Sequence, residues 1–224
     1  MPKSIAAIFA HPDDEILACG ASLAKHASNG AVVRILLLAT GLAARGPAET
    51  SALDQLRDHA RCAADVIGAR SVEFCDFPDN RMDTVPLLDV VQAVEDFIGN
   101  TIPDILYTHH EADLNVDHQI VHRAVLTAHR PLPDRSAHEI RSGEINSSTE
   151  WNAGYCNAFV PNIFEPVLDT IDCKVKALEC YEREIRDWPH PRSVKGVRTL
   201  AALRGMQCGT EVAEAFALVR RISV

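Results

Sequence analysis

The segment that most constrains this chain is AVVRILLLA, Ala31–Ala39, which is β-branched and almost unbroken in apolar character. Such a run fits a strand buried on both faces, and a strand of that kind needs a layer on either side of its sheet. The neighbouring segments supply those layers. Ile5–Ala10 reads as a strand and Ile16–Ser28 as a helix closing at Asn29-Gly30. Thr40–Ala48 reads as a loop and Thr50–Ile67 as a helix ended by Gly68. A strand at Val72–Cys75, the loop DFPDNRMDT and a helix over Pro86–Gly99 follow, with Pro86 suited to a first helical turn. Ile105–Thr108 reads as a fourth strand and Asp117–Ala128 as a fourth helix. This alternation predicts an α/β fold: a doubly wound, Rossmann-like, mostly parallel sheet with helices on both faces.

The second half is less regular. Ile140–Ile145 and Tyr155–Val160 read as strands, Lys174–Arg186 and Val194–Arg204 as helices, and Ala213–Ile222 fits either type. With no repeat, low-complexity tract or linker, residues 1–224 are read as one domain. A net charge of -9 without any Lys/Arg run argues against nucleic acid as a partner. The apolar run after Met1-Pro2-Lys3 is too short for a signal core or a membrane span. Seven scattered cysteines without a C-x-x-C pair suggest reduced thiols in a cytoplasm, most of them small buried hydrophobes.

In a doubly wound sheet of order 3-2-1-4 the ligand crevice opens between the carboxyl ends of strands 1 and 4. The loop after strand 1 carries His11, Asp13, Asp14 and Glu15. The loop after strand 4, THHEADLNVDH, carries His109, His110, Glu111, Asp113, Asn115, Asp117 and His118. Imidazoles mixed with carboxylates suit a divalent metal such as Zn²⁺, and the glycines of a dinucleotide fingerprint are absent after strand 1. A catalytic zinc keeps three protein ligands, and a nearby carboxylate that does not bind it can act as general base. Plainer readings compete. Asp13 and Asp14 could cap the following helix. His118 and His122 make an H-x-x-x-H pair, but Gln119 stands where a metalloprotease of that pattern carries its Glu, so His122 reads as packing or support. His26, His59, His129 and His138 read as ordinary, partly exposed histidines.

The motifs AHPDDE and, later, DH resemble the PIG-L/LmbE superfamily of zinc-dependent N-acetyl-sugar deacetylases. TGLAARG, LRDHA, FCDFPDNRMD and RGMQCGTEVAEAF extend the resemblance along the chain, most densely over residues 5–120. The resemblance implies one Zn²⁺ per chain, held by His11, Asp14 and His118. It implies Asp13 as general base and Asp117 as the carboxylate that orients a neighbouring imidazole. Many members read H-x-D-H where this chain reads Asn115-Val116-Asp117-His118. The donor to the developing oxyanion is then Asn115, His110 or His109, with His110 favoured because it can carry charge. Arg57 matches the family's substrate-gripping arginine. EINSSTEW and HPRS resemble a subgroup tied to bacterial sugar and nucleotide-sugar pathways, and Arg192 is a candidate phosphate contact because its loop shows no acidic partner in sequence.

The expected activity is zinc-dependent removal of an N-acetyl group from an amino sugar or sugar conjugate, with or without a linked nucleotide. The expected partners are that small molecule and no nucleic acid or membrane span, with a homo-oligomer left open. A two-metal phosphoesterase using Asp13, Asp14, Asn115, Asp117 and His118, and a non-catalytic sugar-binding relative, are the alternatives.

Overall fold

The computed structural model describes residues 2–41, 50–132, 136–152 and 158–223. Strands β1 (Ser4–Phe9), β2 (Val32–Ala39), β3 (Ser71–Phe77), β4 (Ile105–His109), β5 (Glu139–Gly143), β6 (Ile163–Pro166) and β7 (Ala213–Arg221) form one sheet of order β3-β2-β1-β4-β5-β7-β6. The five strands from β3 to β5 are parallel, and β7 and β6 complete the edge antiparallel. Helices α1 (Asp14–Ser28), α2 (Thr50–Val66), α3 (Leu87–Ile98), α4 (Val116–Ala128), α5 (Ile171–Glu179) and α6 (Val194–Cys208) cover it.

The period-two alternation of β1 explains both layers. Ile5, Ala7 and Phe9 pack against Leu23 of α1, Ala63 of α2 and Leu178 of α5. Ala6, Ile8 and Ala10 point the other way, toward Val90 and Val94 of α3 and Val121 and Val125 of α4. β1 pairs with β2 on one side and β4 on the other, so winding reverses between β1 and β4 as the alternation predicts.

The second half departs from the sequence reading in several places. Residues 155–157 of the strand expected over Tyr155–Val160 lie outside the described residues, residues 158–160 are irregular, and the edge strand is β6 instead. Most of the loop Thr40–Ala48, with most of TGLAARG, also lies outside them. α5 starts earlier and stops sooner than Lys174–Arg186, because Ile171, Val175 and Leu178 form its buried stripe and residues 180–193 then run irregularly through Pro189 and Pro191. α6 continues through Gly205, where an added Cβ would press on the Glu211 carbonyl. The ambiguous Ala213–Ile222 is strand β7, its first four residues buried beside β5 and β6. His129 is buried rather than partly exposed, accepting the Ala137 N–H at Nδ1.

Cys62 in α2 and Cys180 after α5 form a disulfide (Cα–Cα 6.1 Å), against the expectation of thiols throughout. The packing of α2 beside α5 brings together cysteines 118 residues apart, which sequence spacing could not show. Cys19, Cys75, Cys173 and Cys208 are free thiols. Among the described residues no helix is long and apolar enough to cross a membrane.

Candidate active site

After Phe9 the chain turns through Ala10-His11-Pro12-Asp13 into α1 at the carboxyl end of the sheet. Asp13 stands at the helix start with φ 109°, left-handed, and its side chain makes no capping hydrogen bond. Its N–H donates instead to Glu15 Oε2 (3.1 Å), while Tyr181 donates its hydroxyl to Glu15 Oε1 (2.6 Å). α1 is broken at Cys19, and a buried ion pair fills the break. Glu214 accepts the N–H groups of Ala21 (3.1 Å) and Ser22 (2.7 Å). Lys174 donates to the Leu17 carbonyl (2.7 Å) and to Glu214 (2.6 Å). The short first segment, carrying Asp14, is thereby set apart from the rest of α1.

From the facing loop, Asn115 caps α4 by accepting the Asp117 N–H (2.8 Å), which places His118 in the first turn. His11 Nδ1, Asp14 Oδ2 and His118 Nε2 then form a nearly equilateral triangle of 3.1, 3.2 and 3.3 Å edges. Ligand atoms on a four-coordinate ion with bonds of ~2.0–2.2 Å stand about 3.3–3.6 Å apart, so this trio fits one zinc-sized cation. Asp14 Oδ1 is buried without a hydrogen-bond partner.

Each imidazole has a carboxylate behind it, an arrangement common around metal-binding histidines. His11 Nε2 meets Asp117 Oδ2 (3.0 Å) and Asp79 Oδ1 (3.2 Å). Asp117 is fixed in turn by the N–H groups of Asn80 (2.6 Å) and Met82 (2.9 Å). His118 Nδ1 lies 3.0 Å from Asp113 Oδ1. Asp113 accepts the Asn115 N–H (2.9 Å), the Thr149 hydroxyl (2.6 Å) and the Ser148 hydroxyl. The sequence singled out neither Asp113 nor Asp79 for a role. The signal was available: a metal-binding imidazole commonly gives its second N–H to a carboxylate or a carbonyl, and both residues lie in loops already marked. A second His/Asp grouping, His11 with Asp79 and Asp117, uses the other nitrogen of His11 and so shares that residue with the first.

The charges respond to this crowding. Burial disfavours charge on His118, but the carboxylates of Asp14 and Asp113 outweigh it and raise its pKa to about 9. His11 is likewise raised, its hydrogen bonds to Asp117, Asp14 and Asp79 overcoming burial. Burial alone would lift Asp14, yet the neighbouring imidazoliums hold it well below the usual carboxylate range. Asp13 goes the opposite way: burial raises it, against the pull of Arg192. Two adjacent carboxylates thus have opposed proton affinities, the separation expected of a ligand beside a proton acceptor.

The remaining candidates fall as follows. Arg192 Nη1 donates to Asp13 Oδ2 (2.7 Å) and lies 3.8 Å from Glu184 Oε2, so the loop has acidic partners that sequence proximity did not reveal. Among the described residues Arg192 is the one Lys or Arg lining the cleft. Arg57 donates to Asp76 (2.5 Å) beside the Phe74 ring and does not line the cleft, although its neighbour Leu56 does. Asn115 lines the cleft and donates its amide to Asn80 Oδ1 (2.9 Å). His110 packs edge-on against Phe159 and is not part of the lining. His109 is fully buried, stacked on His118 at 3.8 Å, and its Nε2 accepts the Ala10 N–H (2.8 Å). Burial and the His118 charge lower its pKa, so it packs as neutral imidazole beside the triangle. His122 bonds the His109 carbonyl (2.8 Å), as a packing residue would. The cleft encloses about 560 Å³, with Trp151 and Leu114 half-exposed in its lining.

The family described as "PIG-L: GlcNAc-PI de-N-acetylase" matches residues 6–129, over half the chain. A protein of Escherichia coli K12 named "Uncharacterized deacetylase YaiS" is 33% identical over 170 residues, spanning 74% of this chain and 82% of that one. The N,N'-diacetylchitobiose deacetylase of Pyrococcus horikoshii superposes with TM-score 0.75 at 18% identity, covering 97% of this chain and 84% of its own. GalB, the 4-carboxy-2-hydroxymuconate hydratase of Pseudomonas putida KT2440, superposes with TM-score 0.70 at 20% identity, covering 99% and 98%. The fold alone therefore accommodates more than one reaction.

Proposed function

This chain belongs to the PIG-L family, and we propose that it is a zinc-dependent hydrolase that removes the acetyl group from the nitrogen of an amino sugar or sugar conjugate. One observation carries the reading: a three-residue triangle, both imidazoles backed by carboxylates, with a further carboxylate, Asp13, alongside that belongs to none of its corners. His11, Asp14 and His118 would hold the ion. Zinc, when bound, supplies a Lewis acid that lowers the pKa of water toward ~7 and polarises an acyl oxygen.

Asp13 takes the proton of the attacking water as its oxygen bonds to the acyl carbon. It returns that proton to the amine as the C–N bond breaks, leaving acetate and a free amino sugar. Asn115, at the cleft wall, offers its amide to the developing oxyanion. Asp117 and Asp113 keep the two imidazoles in register. Trp151 and Leu114 provide apolar surface of the kind a sugar ring covers. Arg192 is engaged with Asp13, so this reading includes no phosphate contact and treats a linked nucleotide as unnecessary. The single shared His11 of the two His/Asp groupings favours one metal over the two-metal phosphoesterase.

The test is incubation of zinc-loaded protein with a panel of acetamido sugars and their nucleotide conjugates, following acetate and product mass together. Stoichiometric acetate with a free amine, lost on chelation and restored by zinc, supports the reading. A product heavier by one water and no acetate would move the chain to the chemistry named for the hydratase neighbour.

A further inference from the structure

We propose that Arg192 is a positioning residue for Asp13, one side of a brace that holds the base in place; this rests on the deacetylase reading above. Asp13 occupies a left-handed backbone conformation, φ 109°, that a non-glycine residue keeps only when its surroundings over-determine it. Two contacts do so, and both reach back to one irregular segment, residues 180–193, across 166 and 179 residues of sequence. Tyr181 pins Glu15, and Glu15 accepts the Asp13 N–H. Arg192 holds the other end, its Nη1 on Asp13 Oδ2 at 2.7 Å.

The guanidinium is itself anchored. Its Nε donates to Ser147 Oγ (2.8 Å) and to the Asn146 carbonyl (3.2 Å). The Arg192 N–H donates to His190 Nδ1 (3.1 Å). The next residue, Ser193, caps α6 by accepting the Gly196 N–H (2.9 Å). A Cβ at Gly196 would overlap the Pro191 carbonyl oxygen, so the loop needs glycine there to lie down on the helix. An arginine with Nε and Nη1 committed in this way is suited to hold a neighbour still rather than to follow a mobile phosphate. Fixing Asp13 matters because a misplacement of about 1 Å in a reacting group can cost ~10²-fold in rate.

A double-mutant cycle on the zinc-loaded full chain tests this, with N-acetylglucosamine and N,N'-diacetylchitobiose as probes. Arg192→Ala should lower kcat by ~10²-fold with KM and zinc content little changed. Arg192→Lys, or guanidinium ion added to the alanine variant, should recover part of the loss. In an Asp13→Asn background Arg192→Ala should cost almost nothing more, because the residue through which it acts is already disabled. Equal losses in both backgrounds, or a loss confined to KM, would return Arg192 to the substrate and overturn the proposal. If wild type turns over neither probe, the deacetylase reading fails on them and thermal denaturation judges the pair alone. Losses in Tm for Asp13→Asn and Arg192→Ala that are smaller together than summed support the brace, and additive losses overturn it.

Discussion

Asp113→Asn isolates the support of the proposed metal site from its three proposed ligands. Asp113 touches no other corner of the triangle, but its Oδ1 is 3.0 Å from His118 Nδ1. Asparagine can keep a carbonyl toward His118 and the Asn115 N–H, and turn its amide toward Thr149, which already accepts the Ile145 N–H at its hydroxyl (2.8 Å). The fold should survive while the charge that steadies the imidazole is lost. Losing such a carboxylate typically weakens metal binding by ~10–100-fold, about 1.4–2.7 kcal/mol. The variant also holds the His118 proton less tightly, which partly offsets the loss at neutral pH. Competition against a chelating dye with buffered zinc is therefore best read near pH 9, about where that proton is released from the wild type. Asp113→Ala should bind zinc no better and also lose stability, because the Ser148 and Thr149 hydroxyls and the Asn115 N–H forfeit a buried acceptor at roughly 1–3 kcal/mol each. An Asp113→Asn protein with wild-type zinc affinity would show that His118 needs no negative charge behind it and refute the reasoning.

Zinc loading should release protons. In the metal-free protein His118 is raised to about 9, so a proton must leave below that pH, and apparent affinity should rise by roughly tenfold per pH unit for each proton displaced. Calorimetry in buffers of different ionisation heat counts the protons, and none released would contradict the assignment. Glu15 is raised from 4.5 to about 7 by burial, so the folded state prefers it protonated. Its share of stability is present below the unfolded value and lost as pH rises through about 7, on the order of 3 kcal/mol in the metal-free protein. Glu15→Gln should flatten that part of the Tm–pH curve, and an unchanged slope would assign it elsewhere. Asn115→Ala should keep zinc, lose about 1 kcal/mol of helix capping and reduce kcat by ~10²–10³-fold. His110→Ala should leave kcat near wild type, and the opposite ranking would restore His110 as the oxyanion donor.

The first half of the fold was legible because its elements carried their own signals: AVVRILLLA fitted a doubly buried strand, and glycine or proline punctuated the first three helices. The order of β3-β2-β1-β4 followed, and with it the meeting of HPDDE and NVDH. Within those loops sequence could list groups but not assign them. Asp113 and Asp117 differ by which imidazole each backs, and that depends on the cap at Asn115 and the turn at Asn80–Met82. The second half was opaque for a related reason. Residues 180–193 have no periodicity because they are shaped by contacts to distant residues, Tyr181 to Glu15, Cys180 to Cys62 and Arg192 to Asp13. Arg192 looked available for a phosphate because its partner lies 179 residues away. His110 reads as the better donor because it can carry charge, but Asn115 is in the cleft lining and His110 is not.

The central claim is that two neighbouring carboxylates divide the chemistry, Asp14 on the ion and Asp13 on the proton. Zinc content and acetate release measured side by side on Asp13→Asn and Asp14→Ala test it most directly. Asp13→Asn should retain one zinc per chain and lose roughly 10²–10⁴-fold in turnover, while Asp14→Ala should lose the zinc itself. Equal zinc loss in the two variants, or an active Asp13→Asn enzyme, would contradict the account.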